Sequence, residues 1–394
     1  MLASFLATFA VLEIAVRIAV RGGYRRGKEL RERATYTIFD PVLGWRLRPG
    51  ARAHYDRGEY TTDVAINSLG MRDRERSVVP SPGTFRILAL GDSFVEGYTV
   101  NFGETVGQVL ENALAGANCP IEVLNAGSGG YSTDQEYLFY RETGRRLGAR
   151  VVVLFFYHND LAPLLETSYY GATKPLFAYH RRSGLSLRTD HLREPQSKPE
   201  FRPKERPPGP RLRSAAWGWL KFRLSVGAPR LYEALARWGL WEPLDRLVVY
   251  PELKAFHTPP SAQVRAAWTL ADQLLAALRR DVEADGARLV VVYVPSRMEV
   301  DDADWDATCI QYGLPPDHWA RPAVARRLEE SGRRGGFPVL DLTPALHAAN
   351  AAPFWKAYLV FDPHWNARGH RAAGQAVATY LRSARLLPDC AQPR

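Results

Sequence analysis

A serine, an aspartate and a histidine, spread over most of the chain, are the residue types here that can do chemistry together. Ser93 stands in Gly91-Asp92-Ser93-Phe94, while Asp362 and His364 stand in Asp362-Pro363-His364-Trp365-Asn366. A serine hydroxyl is a poor nucleophile until a neighbouring base takes its proton. His364 is the natural base, and Asp362 the natural group to orient and stabilise its imidazolium. An oxyanion formed in acyl transfer also needs N–H donors, which are usually the largest single contribution to such catalysis. Ser93 can supply its own backbone N–H, Gly130 a second that no side chain obstructs, and Asn159 a side-chain N–H.

Taken singly, each piece has an ordinary structural explanation. Gly-Asp-Ser can be a helix-capping turn, and Asp92 is read as stabilising that turn rather than as a catalyst. Asn159-Asp160 can merely end a strand, and Asp362 with His364 can be a surface pair. His370 is an alternative histidine. It ranks below His364 because it falls on the closing helix and has no carboxylate two or three positions before it.

The positioning elements turn these pieces into a set. Short apolar runs at 85–90 (FRILAL), 121–125 (IEVLN), 151–156 (VVVLFF), 287–295 (ARLVVVYVP) and 337–342 (FPVLDL) predict five strands. Segments of helical spacing at 104–117, 133–148, 262–285, 322–332 and 367–385 separate or follow them. Apolar strands alternating with helices predict an α/β fold with an open parallel sheet covered on both faces. In such sheets ligands bind beyond the carboxyl ends of the strands. Ser93 follows the first run, Gly130 the second, Asn159 the third, and Asp362 with His364 the last. All four groups are therefore expected at one rim.

Residues 23–83 read as a lead-in with a short hairpin, and residues 84–394 as the main domain. Residues 161–261 read as an insertion. Its 180–213 stretch is polar, basic and proline-rich, which predicts a long loop or lid, and the Trp-rich part after it predicts amphipathic helix. The composition is that of a folded body, with 46% hydrophobic and 24% charged residues. A net charge of +10 favours acidic partners, yet no zinc-finger spacing or RNA-binding aromatic signature supports nucleic acid. Cys119, Cys309 and Cys390 lie too far apart for a metal-ligand pattern, and a single disulfide stays open. The apolar stretch 2–20 is about the length of a bilayer-crossing helix, so residues 1–22 are expected to act as a membrane anchor. Glu13 and Arg17 lie four apart and can pair on one helix face. The basic residues after it (Arg21, Arg25, Arg26, Lys28, Arg31 and Arg33) would by the positive-inside rule keep the main domain cytoplasmic.

The four blocks resemble those of the SGNH (GDSL) hydrolases, named for Ser, Gly, Asn and His. Ser93 in GDSF matches the nucleophile, Gly130 in NAGSGGYST the glycine, Asn159 in YHND the asparagine and His364 the histidine, with Asp362 its partner. The resemblance covers 84–386 apart from 161–261. It implies a three-layer α/β/α, flavodoxin-like sheet of about five strands, with an oxyanion hole of Ser93, Gly130 and Asn159. It also implies ester hydrolysis without metal or organic cofactor, on an acylated envelope glycan or lipid, and a catalytic domain outside the cytoplasm. INSLGMRDRE (66–75) and HWNARGH (364–370) are similar to membrane-anchored bacterial members. Two departures stand out: Tyr157 replaces the usual glycine of the third block, and the last block is D-x-H rather than D-x-x-H. The shorter spacing resembles polysaccharide O-acetyltransferases of the alginate-modifying type, so O-acyl transfer is the rival activity. A non-catalytic glycan-binding module is the rival of another class.

Overall fold

The computed structural model describes residues 35–57, 59–115, 120–194, 251–311, 314, 316–351, 356–359 and 362–388, with isolated positions at 11 and within 224–238. Five strands form the central sheet: β1 (Phe85–Gly91), β2 (Ile121–Gly127), β3 (Val151–Tyr157), β4 (Arg288–Val294) and β5 (Val339–Asp341). They are hydrogen-bonded in the order β2-β1-β3-β4-β5, and every pairing is parallel. That order is the flavodoxin-like doubly wound one, which places its switch point between β1 and β3.

Strand side chains alternate between two cores. Leu88, Leu90, Leu124, Val152, Leu154, Phe156, Val291 and Tyr293 face one side. There they meet α3 (Thr133–Glu142), α4 (Ala262–Ala284) and α5 (Ala323–Gly335), introduced with α1 (Ser93–Glu96) and α2 (Val106–Leu114). Ile87, Ala89, Val123, Val153, Phe155, Val290 and Val292 face the other side, against α2, α6 (Thr343–Asn350) and α7 (Ala367–Ser383). Strands buried on both faces need continuous apolar runs, which is why β3 reads VVVLFFY with every residue buried. The result is a three-layer α/β/α sandwich.

The lead-in holds two hairpins. Thr37–Asp40 pairs with Gly44–Leu47, and Arg52–Asp56 with Thr61–Ala65. They are built into the body through buried polar contacts. The Arg72 guanidinium donates to the carbonyls of Glu96, Gly97 and Val100, and the Tyr36 hydroxyl donates to Glu96 Oε1 at 2.8 Å.

The insertion departs from the loop expected over 180–213 at the start of that stretch, and residues just before it are paired as well. Ser168–Tyr169 pairs with Ala172–Thr173, and Leu176–His180 with Gly184–Arg188. Phe177 packs on Tyr137, while Lys174 is fully buried and ion-paired with the equally buried Asp134 of α3. These contacts make residues 168–188 part of the folded body. Most of 195–250, including the Trp-rich stretch and most of the basic one, lies outside the described residues, as do residues 1–10 and 12–34 of the apolar N-terminus, Cys119 and Cys390. Among the described residues no helix is long and apolar enough to cross a membrane, and Cys309 is a free thiol.

Candidate active site

The site is assembled where β1, β2 and β3 end. At the end of β1, Asp92 caps α1, its Oδ1 accepting from the Phe94 N–H at 2.9 Å. This fixes Ser93 at the first turn of α1, with 7% of its surface exposed. The turn is tight because Gly91 and Gly127 lie side by side in the sheet register. A Cβ on Gly127 would fall 2.2 Å from the Glu96 nitrogen, and one on Gly91 2.4 Å from Val95 Cγ2. Only glycine lets α1 fold back so closely on the strand ends.

Ser93 Oγ lies 2.7 Å from His364 Nε2, and His364 Nδ1 lies 2.5 Å from Asp362 Oδ1. With the Nδ1 proton on the carboxylate side, Nε2 is left to accept the serine proton. The two-residue Asp–His spacing is sufficient because the loop curls back on itself: the same Asp362 oxygen also accepts from the His364 backbone N–H at 3.0 Å. Asp362 is 1% exposed. Burial opposes its ionisation, but the His364 charge and the hydrogen bonds from His364 and Tyr98 outweigh it and hold the carboxyl below its ordinary range. The imidazole rests against Phe94, with ring centroids 4.7 Å apart, and against Tyr98 at 5.1 Å.

Tyr98 is a site residue that the sequence reading missed. Its hydroxyl donates to Asp362 Oδ2 at 3.1 Å, satisfying the carboxylate oxygen that His364 does not use. It is carried just beyond the left-handed Gly97 that ends α1, and it packs on Tyr55 and Tyr60 of the lead-in. An aromatic five positions after a serine gives no local signal of this role.

Gly130 and Asn159 approach from the neighbouring loops. The Ser128 N–H donates to the Gly91 carbonyl at 3.0 Å, and the Gly129 N–H to Glu96 Oε2 at 2.6 Å, which ties the β2 loop to the serine turn. Gly130 has a φ of +76°, and a Cβ there would meet the Tyr170 ring at 3.0 Å. Asn159 Nδ2 donates to Asp92 Oδ2 at 3.2 Å, leaving its second hydrogen for another acceptor. Asp92 therefore does more than stabilise its own turn, since it also orients Asn159. Tyr157, standing where a glycine was expected, packs tilted against Phe94 with ring centroids 4.7 Å apart and so forms part of the wall behind the serine.

His370 is placed elsewhere. It is buried against Trp365, and its Nδ1 accepts from the Val106 N–H at 3.2 Å, capping α2. Burial, with the nearby Arg72 and His364 charges, lowers its pKa to about 3. Among the described residues no cluster of His, Cys, Asp and Glu is arranged to hold a metal ion.

Residues 256–393 match the family model described as an SGNH hydrolase-like domain, acetyltransferase AlgX. Over that stretch the chain is similar to an SGNH hydrolase-like domain. The matched stretch includes Asp362 and His364, while Ser93, Gly130 and Asn159 lie before it. No curated protein matches the sequence. Similar solved structures include TesA, at 10% identity over 77% of this chain and 99% of that one with a TM-score of 0.39. A lipase/acylhydrolase from Enterococcus faecalis shares 10% identity over 76% and 96%, with a TM-score of 0.38. A variant of an acetyl-xylooligosaccharide esterase from Geobacillus Stearmophilus shares 11% over 79% and 97%, with a TM-score of 0.39.

Proposed function

We propose that this protein is a serine esterase that removes a short O-acyl group, foremost O-acetyl, from an envelope glycan or lipid through an acyl-enzyme on Ser93. The reading is carried by one observation: the Ser93 hydroxyl within hydrogen-bond distance of an imidazole whose far nitrogen meets a buried carboxylate. Ser93 Oγ attacks the ester carbonyl as its proton passes to His364 Nε2. The developing imidazolium is stabilised by Asp362. The oxyanion is held by the Ser93 and Gly130 backbone N–H groups and by Asn159. Collapse of the tetrahedral adduct expels the alcohol, which takes the proton from His364. Water activated by the same imidazole then releases the acid and regenerates Ser93.

Acyl transfer is the second reading, favoured by the acetyltransferase family match across the block that holds Asp362 and His364. It uses the same acyl-enzyme and differs in the final step, where a sugar hydroxyl replaces water. Release of p-nitrophenol from p-nitrophenyl acetate, followed with and without oligosaccharide acceptors, separates the two. Acetate alone supports hydrolysis, acetylated sugar supports transfer, and equal turnover by wild type and Ser93→Ala overturns both in favour of a non-catalytic module. The apolar stretch 2–20 is read as an anchor that keeps this activity at the envelope membrane, on its extracytoplasmic side. Alkaline carbonate extraction should leave the full chain in the membrane pellet, and its release would contradict the anchor.

A further inference from the structure

Tyr170 is an exposed aromatic held in an unfavourable conformation directly beside the site. Its φ is +49° and 54% of its surface is exposed. It opens the two-residue turn between Ser168–Tyr169 and Ala172–Thr173, and Gly171 completes that turn at φ +80°. A turn with two positive φ values suits Asn-Gly or Gly-Gly, whereas a bulky side chain at its first position is strained. Such strain persists where the surrounding structure enforces it, and it concentrates at functional positions.

The enforcement is visible. The Tyr169 ring lies 4.1 Å from the Tyr170 ring, and the Tyr169 hydroxyl donates to Glu252 Oε1 at 3.1 Å. Just past the turn, Lys174 is locked to Asp134 inside the body. From the other side, the lead-in presses so close that a Cβ on Gly44 would sit 2.3 Å from the Thr173 carbonyl oxygen. The hairpin is thus a rigid mount that presents one tyrosine. The edge of that ring overlies Gly130, whose loop is hydrogen-bonded to the serine turn.

We infer that Tyr170 is a stacking platform for a sugar ring of the acylated glycan, fixing the sugar whose ester faces Ser93. This inference rests on the esterase reading above. A pyranose presents a flat face of polarised C–H groups, which matches the electron-rich face of an aromatic ring. An exposed flat ring on a rigid turn suits that partner, whereas an acyl chain calls for an enclosed trough. Tyr170 is a positioning residue with no part in the proton transfers.

The test is equilibrium binding of O-acetylated and deacetylated oligomers of xylose, glucose and mannuronate. Ser93→Ala protein prevents turnover, and saturation-transfer NMR and calorimetry provide the readout. The platform predicts that sugar C–H protons take up saturation and that Tyr170→Phe binds within about twofold of the parent. Tyr170→Ala and Tyr170→Gly should each weaken binding by about five- to tenfold. Tyr170→Gly also relieves the turn strain, so its Tm should not fall, whereas a purely structural tyrosine would lower it. Unchanged affinity in Tyr170→Ala, affinity that follows acyl-chain length rather than the sugar, or no binding to any oligomer would each overturn the platform. Turnover of p-nitrophenyl acetate by the unaltered chain, set against Ser93→Ala, judges the esterase reading separately.

Discussion

At the scale of single residues, the chemistry depends on how fully the carboxylate behind His364 is satisfied. Asp362 accepts from the imidazole and the His364 backbone at one oxygen and from Tyr98 at the other. A carboxylate so held stays ionised and keeps the imidazole in one tautomer. Tyr98→Phe removes one donor without moving the ring. It should lower kcat for p-nitrophenyl acetate about tenfold with KM unchanged, as steady-state kinetics would show, and an unaltered kcat would remove Tyr98 from the mechanism. Ser93 and Asn159 were legible in the sequence because each follows an apolar strand run within three residues, and Asp362 with His364 because they form the polar cluster between the last run and the closing helix. Tyr98, Tyr170 and the bond from Asn159 to Asp92 were not. Their contacts join segments that are 67 or more residues apart or depend on a turn's handedness, and no spacing rule encodes them.

At the scale of elements, the decisive feature is how closely α1 returns to the strand ends. Gly127 permits it, since a Cβ there would overlap backbone atoms of Val95 and Glu96 that have nowhere to move. Gly127→Ala should therefore cost about 2 kcal/mol or more in urea denaturation. Gly103→Ala, whose Cβ would meet nothing within 4 Å, should be close to neutral. Equal stabilities would show that α1 can retreat from β2. All five strands and the five expected helices were readable from periodicity, and β2 runs two residues further than its apolar segment suggests. Helix α6 was missed, because within TPALHAAN only Leu346 and Asn350 are buried, too few positions to show a helical period. Residues 180–213 of the insertion were read as loop from their polar composition, yet Gly184–Arg188 closes a hairpin with Leu176–His180. The hairpin's incorporation depends on Lys174 finding Asp134, a long-range ion pair that local pattern does not reveal.

At the scale of the molecule, two buried neutral imidazoles couple folding to pH. His158 and His370 are each lowered to about 3, chiefly by burial, from an ordinary value of 6.5. Between those values the unfolded chain binds protons that the folded protein refuses. The stability is thus complete above pH 6.5 and is lost as pH falls toward 3. Glu299, raised by burial to about 7, works in the opposite direction: its contribution is lost as pH rises from 4.5 through 7. Comparing wild type with His370→Gln cancels that opposing contribution. The destabilisation caused by the substitution should shrink by about 1.4 kcal/mol per pH unit below pH 6.5 in denaturation curves. A pH-independent difference would mean that His370 takes up its proton in the folded protein at the same pH as in the unfolded chain.

The architecture brings four distant loops to one rim, and the proposed esterase activity requires Ser93 there to carry an acyl group. The most direct test is to mix the purified chain with p-nitrophenyl acetate, quench in acid within one turnover, and map the modified peptide by mass spectrometry. A single acetyl group on the peptide containing Ser93, absent from Ser93→Ala, is the predicted result. Turnover with no acetylated Ser93 peptide, or an adduct that persists in Ser93→Ala, would contradict it.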